Sequence, residues 1–133
     1  MIKAIIFDMD GVISDTQDLH ARAIADVAAK YGITVSAYEI TRRFASVPAK
    51  DLFATLFREA GKVAIDFMPL VREYGDIVTN STSGHVRAMP GAKELIKELS
   101  DKKMPLAVAS SSGKEYINIV LMELNLTRFF QAI

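Results

Sequence analysis

The chain has 133 residues, which is enough for one ordinary domain, and 50% of them are hydrophobic, which excludes a disordered protein. The 16 basic residues balance the 16 acidic ones, so the chain lacks the positive charge of a general nucleic-acid binder. The absence of cysteine excludes disulfides, thiolate metal sites and a cysteine nucleophile. No apolar run is long enough for a membrane span or a secretory signal, so we expect a cytoplasmic protein with no membrane partner.

The first predicted element is a short buried strand. Residues 4–7 form a continuous apolar run (AIIF), a pattern typical of a parallel strand that is covered on both faces. The run ends at Asp8, Asp10 and Gly11, so polar groups follow the strand directly. Because ligands of open α/β sheets bind at the carboxyl ends of strands, we expect the two aspartates to lie at a ligand site.

A block of predicted helices follows this strand. The first helix covers about residues 19–31, with Asp15 or Thr16 as its cap and Gly32 as its end. Further helices are predicted over residues 34–44, 48–59 and 62–79, and a loop is predicted over residues 80–84.

A second strand with a polar end is predicted near the end of the chain. It is the apolar run 106–109 (LAVA), which leads into three serines and a helix. The Ser110 hydroxyl and nearby N–H groups could bind a phosphate oxygen at the amino terminus of that helix. The alternative is helix capping by Ser111 or Ser112. Residues 129–133 are typical of the approach to a third strand.

Two strand-to-loop units therefore flank the helical block. The chain shows no internal repeat and no linker-like composition. We interpret residues 1–15 and 89–133 as one α/β core and residues 16–88 as a helical insertion within it.

The spacing of Asp8 and Asp10 suggests two kinds of chemistry. Neighbouring carboxylates favour a hard cation with oxygen ligands, such as Mg²⁺. They can also divide the roles of nucleophile and general acid/base. A turn after the strand could point one of the carboxylates elsewhere. The plainer alternative is two acids that are solvated in a loop or cap a helix.

The order of the motifs resembles a known family. Residues 5–12 (IIFDMDGV), 89–91 (MPG) and 106–111 (LAVASS) resemble the haloacid dehalogenase-like (HAD) superfamily. Within it, the chain is similar to the β-phosphoglucomutase and sugar-phosphate phosphatase branch, which has an inserted helical cap. The resemblance implies an α/β fold, with a Rossmann-like parallel-sheet core, incomplete here, and an α-helical cap.

The resemblance also implies site residues and an activity. Asp8 would attack phosphorus, and Asp10 would protonate the leaving oxygen and then activate water. Mg²⁺ would be held by the Asp8 carboxylate and the Asp10 backbone carbonyl. Ser110, with Ser111 and neighbouring N–H groups, would bind the phosphoryl group. The implied reaction is hydrolysis of a small phosphorylated metabolite, such as a sugar phosphate, through an aspartyl-phosphate.

Part of the family pattern has no counterpart in this sequence. Members also use a lysine and one or two acidic residues downstream of the segment that resembles residues 127–133. We therefore expect a fragment, a natural truncation, or self-association in which a second copy covers an open sheet edge. Two other functions stay open. One is a phosphosugar mutase that uses the same residues, and the other is a non-catalytic module for binding or assembly.

Overall fold

The computed structural model describes every residue from Met1 to Ile133 and divides the chain into two compact units. The first unit consists of residues 1–16 and 82–133, and the second consists of residues 17–81. The predicted domain limits, with a helical cap over 16–88, stay a prediction. The elements in chain order are β1 (Ile5–Phe7), α1 (Gln17–Lys30), α2 (Ala37–Phe44), α3 (Ala49–Glu59), α4 (Met68–Thr82), α5 (Ala92–Asp101), β2 (Leu106–Val108), α6 (Lys114–Glu123) and a 3₁₀ turn (Thr127–Phe129).

The first unit contains a parallel sheet. β1 pairs with β2 in parallel, with Ile6 opposite Ala107. Ala107 is also bridged in parallel to Ala132. In a strand, the N–H and C=O groups of successive residues point to opposite edges. The hydrogen bonds to β1 and those to the 131–132 segment therefore use opposite edges of β2, so β2 lies between the two. The sheet confirms the predicted α/β fold, and the Ala132 pairing agrees with the predicted approach to a third strand.

The outer strand β1 is less covered than its sequence predicts. Ile6 is 69% exposed, whereas Leu106 and Val108 of β2 are buried. The prediction that the first apolar run is covered on both faces is therefore wrong at Ile6. The physical reason is that no element packs over the face of the sheet to which the Ile6 side chain belongs at this position.

The second unit has a hydrophobic core of its own, made by α1 to α4. Its fully buried or nearly buried members include Ile24, Val27, Ile40, Leu52, Phe53, Leu56 and Leu70. The Phe57 ring meets Phe67 edge-on, with ring centroids 5.2 Å apart. No helix of the structure is both long and apolar enough to cross a membrane.

Helix α4 differs from the predicted helix over 62–79 at both ends. It begins at Met68, whose N–H donates to the Asp66 carboxylate at 3.0 Å. It continues to Thr82, so the predicted loop over 80–84 is wrong at its first three positions. Thr82 is 1% exposed, and this burial comes from tertiary contacts that a local polar pattern does not reveal.

Candidate active site

A tight turn after β1 sets the directions of the two aspartates. Met9 is fully buried, and its carbonyl accepts the Ser14 N–H at 3.0 Å. Gly11 has φ +78°, a left-handed conformation that a residue without Cβ adopts at little cost, and its N–H donates to the Ser14 carbonyl at 2.8 Å. The turn leaves Asp8 exposed and Asp10 partly buried.

Asp8 is held locally and stays open to solvent. Its Oδ1 accepts the N–H of the next residue, Met9, at 2.7 Å. This bond restrains the carboxylate while leaving its other oxygen outside the contact. An exposed, restrained carboxylate is accessible to an incoming ligand.

Asp10 is held by hydroxyl groups from three segments. The Thr16 hydroxyl donates to Oδ1 at 2.6 Å, and the Tyr116 hydroxyl donates to the same oxygen at 3.1 Å. The Ser112 hydroxyl donates to Oδ2 at 2.8 Å. A hydroxyl both donates and accepts, so the same groups can also serve a protonated Asp10 if one of them turns to accept. The two aspartates therefore lie in different surroundings although they are two residues apart.

The Thr16 hydroxyl is itself in contact with a second hydroxyl, that of Ser14. Ser14 is fully buried, and its Oγ lies 3.0 Å from the Thr16 Oγ1. The Ser14 hydroxyl also reaches the Met9 carbonyl at 3.3 Å. Buried hydroxyls linked in this way orient one another, which fixes the position of the group that contacts Asp10.

Tyr116 contributes a phenol from the first turn of α6. Its side chain is 5% exposed. Burial raises the pKa of the Tyr116 phenol well above its usual range, and the charge of Asp10 raises it further. Hydrogen bonds to Thr16 and Thr82 partly offset that rise in pKa. The phenol therefore keeps its proton, which it donates to the carboxylate.

The predicted phosphate-binding serines lie directly after β2. Ala109 extends the strand pairing, because its N–H donates to the Phe7 carbonyl at 2.9 Å. Ser110 is partly buried and its hydroxyl accepts the Ser112 N–H at 3.1 Å, while Ser111 is exposed. This loop lies beside the aspartates because both follow the carboxyl ends of paired parallel strands. The serine that contacts Asp10 is Ser112.

Sequence reasoning missed four contacts of this site. Thr16 was one of two candidate helix caps, Ser112 entered only as an alternative cap, Thr82 fell in the predicted loop over 80–84, and Tyr116 was not singled out. The cap of α6 is instead Gly113, without a side-chain bond. A tyrosine one turn after a polar strand end was the available signal, since buried tyrosines usually find a polar partner.

The site supplies oxygen atoms that fit a hard cation. Asp8 offers an exposed carboxylate as a ligand, whereas both oxygens of the Asp10 carboxylate already accept hydroxyl hydrogen bonds. No group of three or more His, Cys, Asp or Glu side chains gathers as a metal site anywhere in the structure. This donor set fits Mg²⁺, which is commonly held by one or two carboxylates, with water and substrate phosphate completing its shell.

The comparison with protein families decides the classification. The family model for haloacid dehalogenase-like hydrolases matches residues 5–133. The chain belongs to this family. The HAD match covers both compact units and both aspartates of the site.

Individual relatives of this HAD chain are phosphatases by name. A probable pseudouridine-5'-phosphatase of Saccharomyces cerevisiae is 29% identical over 85% of this chain and 47% of its own length. A phosphorylated carbohydrates phosphatase of Thermotoga maritima is 28% identical over 97% of this chain and 59% of its own length. The chain thus spans about half the length of these relatives.

A solved crystal structure has the same fold as this chain. The crystal structure of CbbY from Rhodobacter sphaeroides, in complex with phosphate, superimposes with a TM-score of 0.83. It is 23% identical, and the match covers 100% of this chain and 63% of that protein. Similarity at this level establishes the Rossmann-like HAD fold.

Proposed function

We propose that this chain carries the nucleophile and the acid/base of an Mg²⁺-dependent phosphomonoesterase. The observation that carries the proposal is the Asp10 carboxylate, held by three hydroxyls two residues after the exposed Asp8. Neighbouring carboxylates in different surroundings suit two different roles in one reaction.

The proposed reaction has two steps. In the first step an Asp8 oxygen attacks phosphorus, the bond to the leaving oxygen breaks, and Asp10 gives its proton to that oxygen. In the second step Asp10 takes a proton from water, which attacks the aspartyl-phosphate and releases inorganic phosphate. Asp8 is then free again and Asp10 is protonated again, so protons and charge balance over the cycle.

The loop after β2 would hold the phosphoryl group. Ser110 and Ser111 lie beside the aspartates, ahead of the amino terminus of α6. Hydroxyls and unpaired N–H groups at the start of a helix stabilise a phosphate oxyanion. Mg²⁺ would be held by the Asp8 carboxylate and the Asp10 backbone carbonyl. When bound, the cation neutralises charge on the phosphoryl oxygens.

The proposed substrate is a small phosphorylated metabolite such as a sugar phosphate. The relative from Thermotoga maritima is named for phosphorylated carbohydrates, and the relative from Saccharomyces cerevisiae is named for a nucleoside monophosphate. Both compounds are phosphate monoesters of a sugar hydroxyl, so their shared chemistry supports this class.

The test is phosphate release from a panel of sugar phosphates with MgCl₂, using the full protein. Asp8→Asn should abolish turnover, and hydroxylamine should trap a phosphorylated Asp8 in the parent as a hydroxamate detected by mass spectrometry. The matched control is Asp15→Asn, a nearby acid whose side chain is exposed. Turnover by Asp8→Asn at the parent rate would contradict the nucleophile assignment.

Two other outcomes would replace the proposal. Isomerisation of a hexose phosphate faster than its hydrolysis would indicate a mutase that uses the same residues. No Mg²⁺ binding and no turnover, together with a stable oligomer, would indicate a non-catalytic module.

A further inference from the structure

One tyrosine hydroxyl of the first unit lies beside Asp10 and beside the two residues of that unit, Thr16 and Thr82, that flank the second unit in sequence. The Tyr116 hydroxyl donates to Asp10 Oδ1 at 3.1 Å, and the Thr16 and Thr82 hydroxyls are both within its hydrogen-bonding reach. The chain leaves the first unit after Thr16 and re-enters it at Thr82. Both threonines are buried, at 3% and 1% exposure. The Tyr116 side chain therefore joins two segments that are far apart in sequence, residues 10–16 and Thr82.

The direction of these hydrogen bonds is set by chemistry. A phenol has one proton, and the carboxylate of Asp10 is the strongest acceptor within reach, so that proton points to Oδ1. The phenol oxygen then accepts from a threonine, and Thr82 is available because Thr16 already donates to Asp10. In this order, the Thr82 hydroxyl donates to the Tyr116 hydroxyl, and the Tyr116 hydroxyl donates to Asp10.

Tyr116 is well suited to fix a carboxylate. A tyrosine side chain has only two torsions to restrain, and burial of the ring restrains both. A proton donor in catalysis must be aimed at the leaving oxygen, and a misplacement of about 1 Å can cost on the order of 10²-fold in rate. Thr16 and Ser112 also donate to Asp10, so the phenol is the third hydroxyl that restrains this carboxylate.

We propose that Tyr116 is a positioning residue that aims Asp10 at the leaving oxygen, and that Thr82 orients the Tyr116 hydroxyl. The inference rests on the proposed phosphomonoesterase function. It assigns a role in the reaction to a residue of α6 and to the residue at which the chain re-enters the first unit.

The test uses the dependence of rate on the leaving group. Tyr116→Phe should lower kcat/KM about tenfold for an alkyl phosphate, whose leaving oxygen needs a proton from Asp10. The same variant should change kcat/KM by less than about twofold for p-nitrophenyl phosphate, because p-nitrophenolate leaves without a proton. A merely structural role would lower both rates together. Tyr31→Phe is the matched control, since its ring packs against Phe57 in the second unit.

Thr82 provides a second test if Tyr116→Phe folds poorly. Thr82→Val should reproduce the selective loss on the alkyl phosphate, and Thr82→Ser, which restores a hydroxyl, should recover it. An equal loss on both esters, or no loss on either, would overturn the inference. A parent protein that hydrolyses neither ester would instead overturn the proposed function, and the inference would fall with it.

Discussion

The Thr16 hydroxyl donates to Asp10 Oδ1 at 2.6 Å, while its oxygen lies 3.0 Å from the Ser14 hydroxyl. Thr16 is also the last residue before the chain enters the second unit. The residue that restrains Asp10 is therefore also the residue after which the chain leaves the first unit.

Removing this hydroxyl should lower the stability of the folded chain. Thr16→Val keeps the shape of the side chain and leaves Asp10 with one donor fewer, so we expect the free energy of unfolding to fall by about 1–3 kcal/mol. Urea denaturation measures that change. Thr16→Ser restores the hydroxyl and should recover most of the loss. Equal stability of the valine and serine variants would contradict a role for the hydrogen bond.

Glu123 anchors the loop that follows α4. Its Oε1 accepts the Gly84 N–H at 2.6 Å, and its Oε2 lies 3.5 Å from the Val86 nitrogen. Because a carboxylate is a strong acceptor, Glu123→Ala should lower the free energy of unfolding by about 1–3 kcal/mol. Met122→Ala is the control on the same helix, where the side chain is 68% exposed, and it should change stability by less than about 0.5 kcal/mol. Similar losses in both variants would mean that the loop contact contributes nothing.

Two glycine substitutions should change the stability of the chain in opposite directions. Gly11 has φ +78°, so Gly11→Ala forces a side chain into the left-handed region and should destabilise the chain by about 1–2 kcal/mol. Gly75 lies inside α4, and a Cβ built there meets nothing within 4 Å. Gly75→Ala should stabilise the chain by about 0.5–1 kcal/mol because alanine is the better helix former. Thermal or urea unfolding of both variants checks the sign of each change.

The Arg43–Glu59 pair should make the stability of the second unit depend on pH. The Arg43 guanidinium bonds both oxygens of Glu59, at 2.6 and 2.7 Å, and lowers the pKa of that carboxyl from its ordinary value of 4.5. A carboxyl whose pKa is lowered by folding stabilises the folded state above its unfolded pKa. That contribution is lost as the pH falls from about 4.5 through the folded pKa.

A carboxyl-carbon NMR titration of Glu59 measures this pKa directly. Arg43→Met should raise the midpoint toward 4.5 and flatten the fall in stability below that pH. Arg42→Met, an exposed arginine next to it, is the control. An unchanged Glu59 midpoint in Arg43→Met would contradict the assignment.

Self-association through the open sheet edge stays a prediction, and Ile6 provides its test. The side chain is 69% exposed at the middle of β1, which pairs along one edge only. An unpaired edge with an exposed apolar side chain favours pairing with a second copy. We expect a concentration-dependent dimer in sedimentation velocity, with a dissociation constant about tenfold or more higher in Ile6→Lys. Val63→Lys is the control, at 84% exposure in the second unit. If the parent protein stays monomeric at high concentration, the prediction of self-association is wrong.

The elements that local patterns specify were predicted well. Strand β2 and helix α6 follow from an apolar run, a serine-glycine break and helical spacing, all of which act over a few residues. The start of α2 was missed because Ser36, rather than a residue near 34, accepts the Glu39 N–H. Several polar residues near a helix start can serve as the cap, and sequence alone does not choose among them.

The surroundings of Asp10 depend on contacts that are distant in sequence. The position of Asp10 after β1 was visible in the sequence. Its bonds to Ser112 and Tyr116 arise only after β1 and β2 pair and α6 packs beside them. No periodic pattern marks which of three consecutive serines faces an aspartate more than 100 residues away. Tertiary packing of the folded chain determines which serine makes this contact.

The pairing of Ile6 with Ala107 has a consequence for folding of the chain during its synthesis. The partner of β1 is synthesised about 100 residues later, which at 5–20 residues per second is on the order of 5–20 s. The second unit contains its own core within residues 17–81, so it can collapse during that interval. Until β2 is synthesised, nascent β1 remains unpaired and its apolar residues remain exposed. Chaperones can therefore bind β1 most readily during this interval.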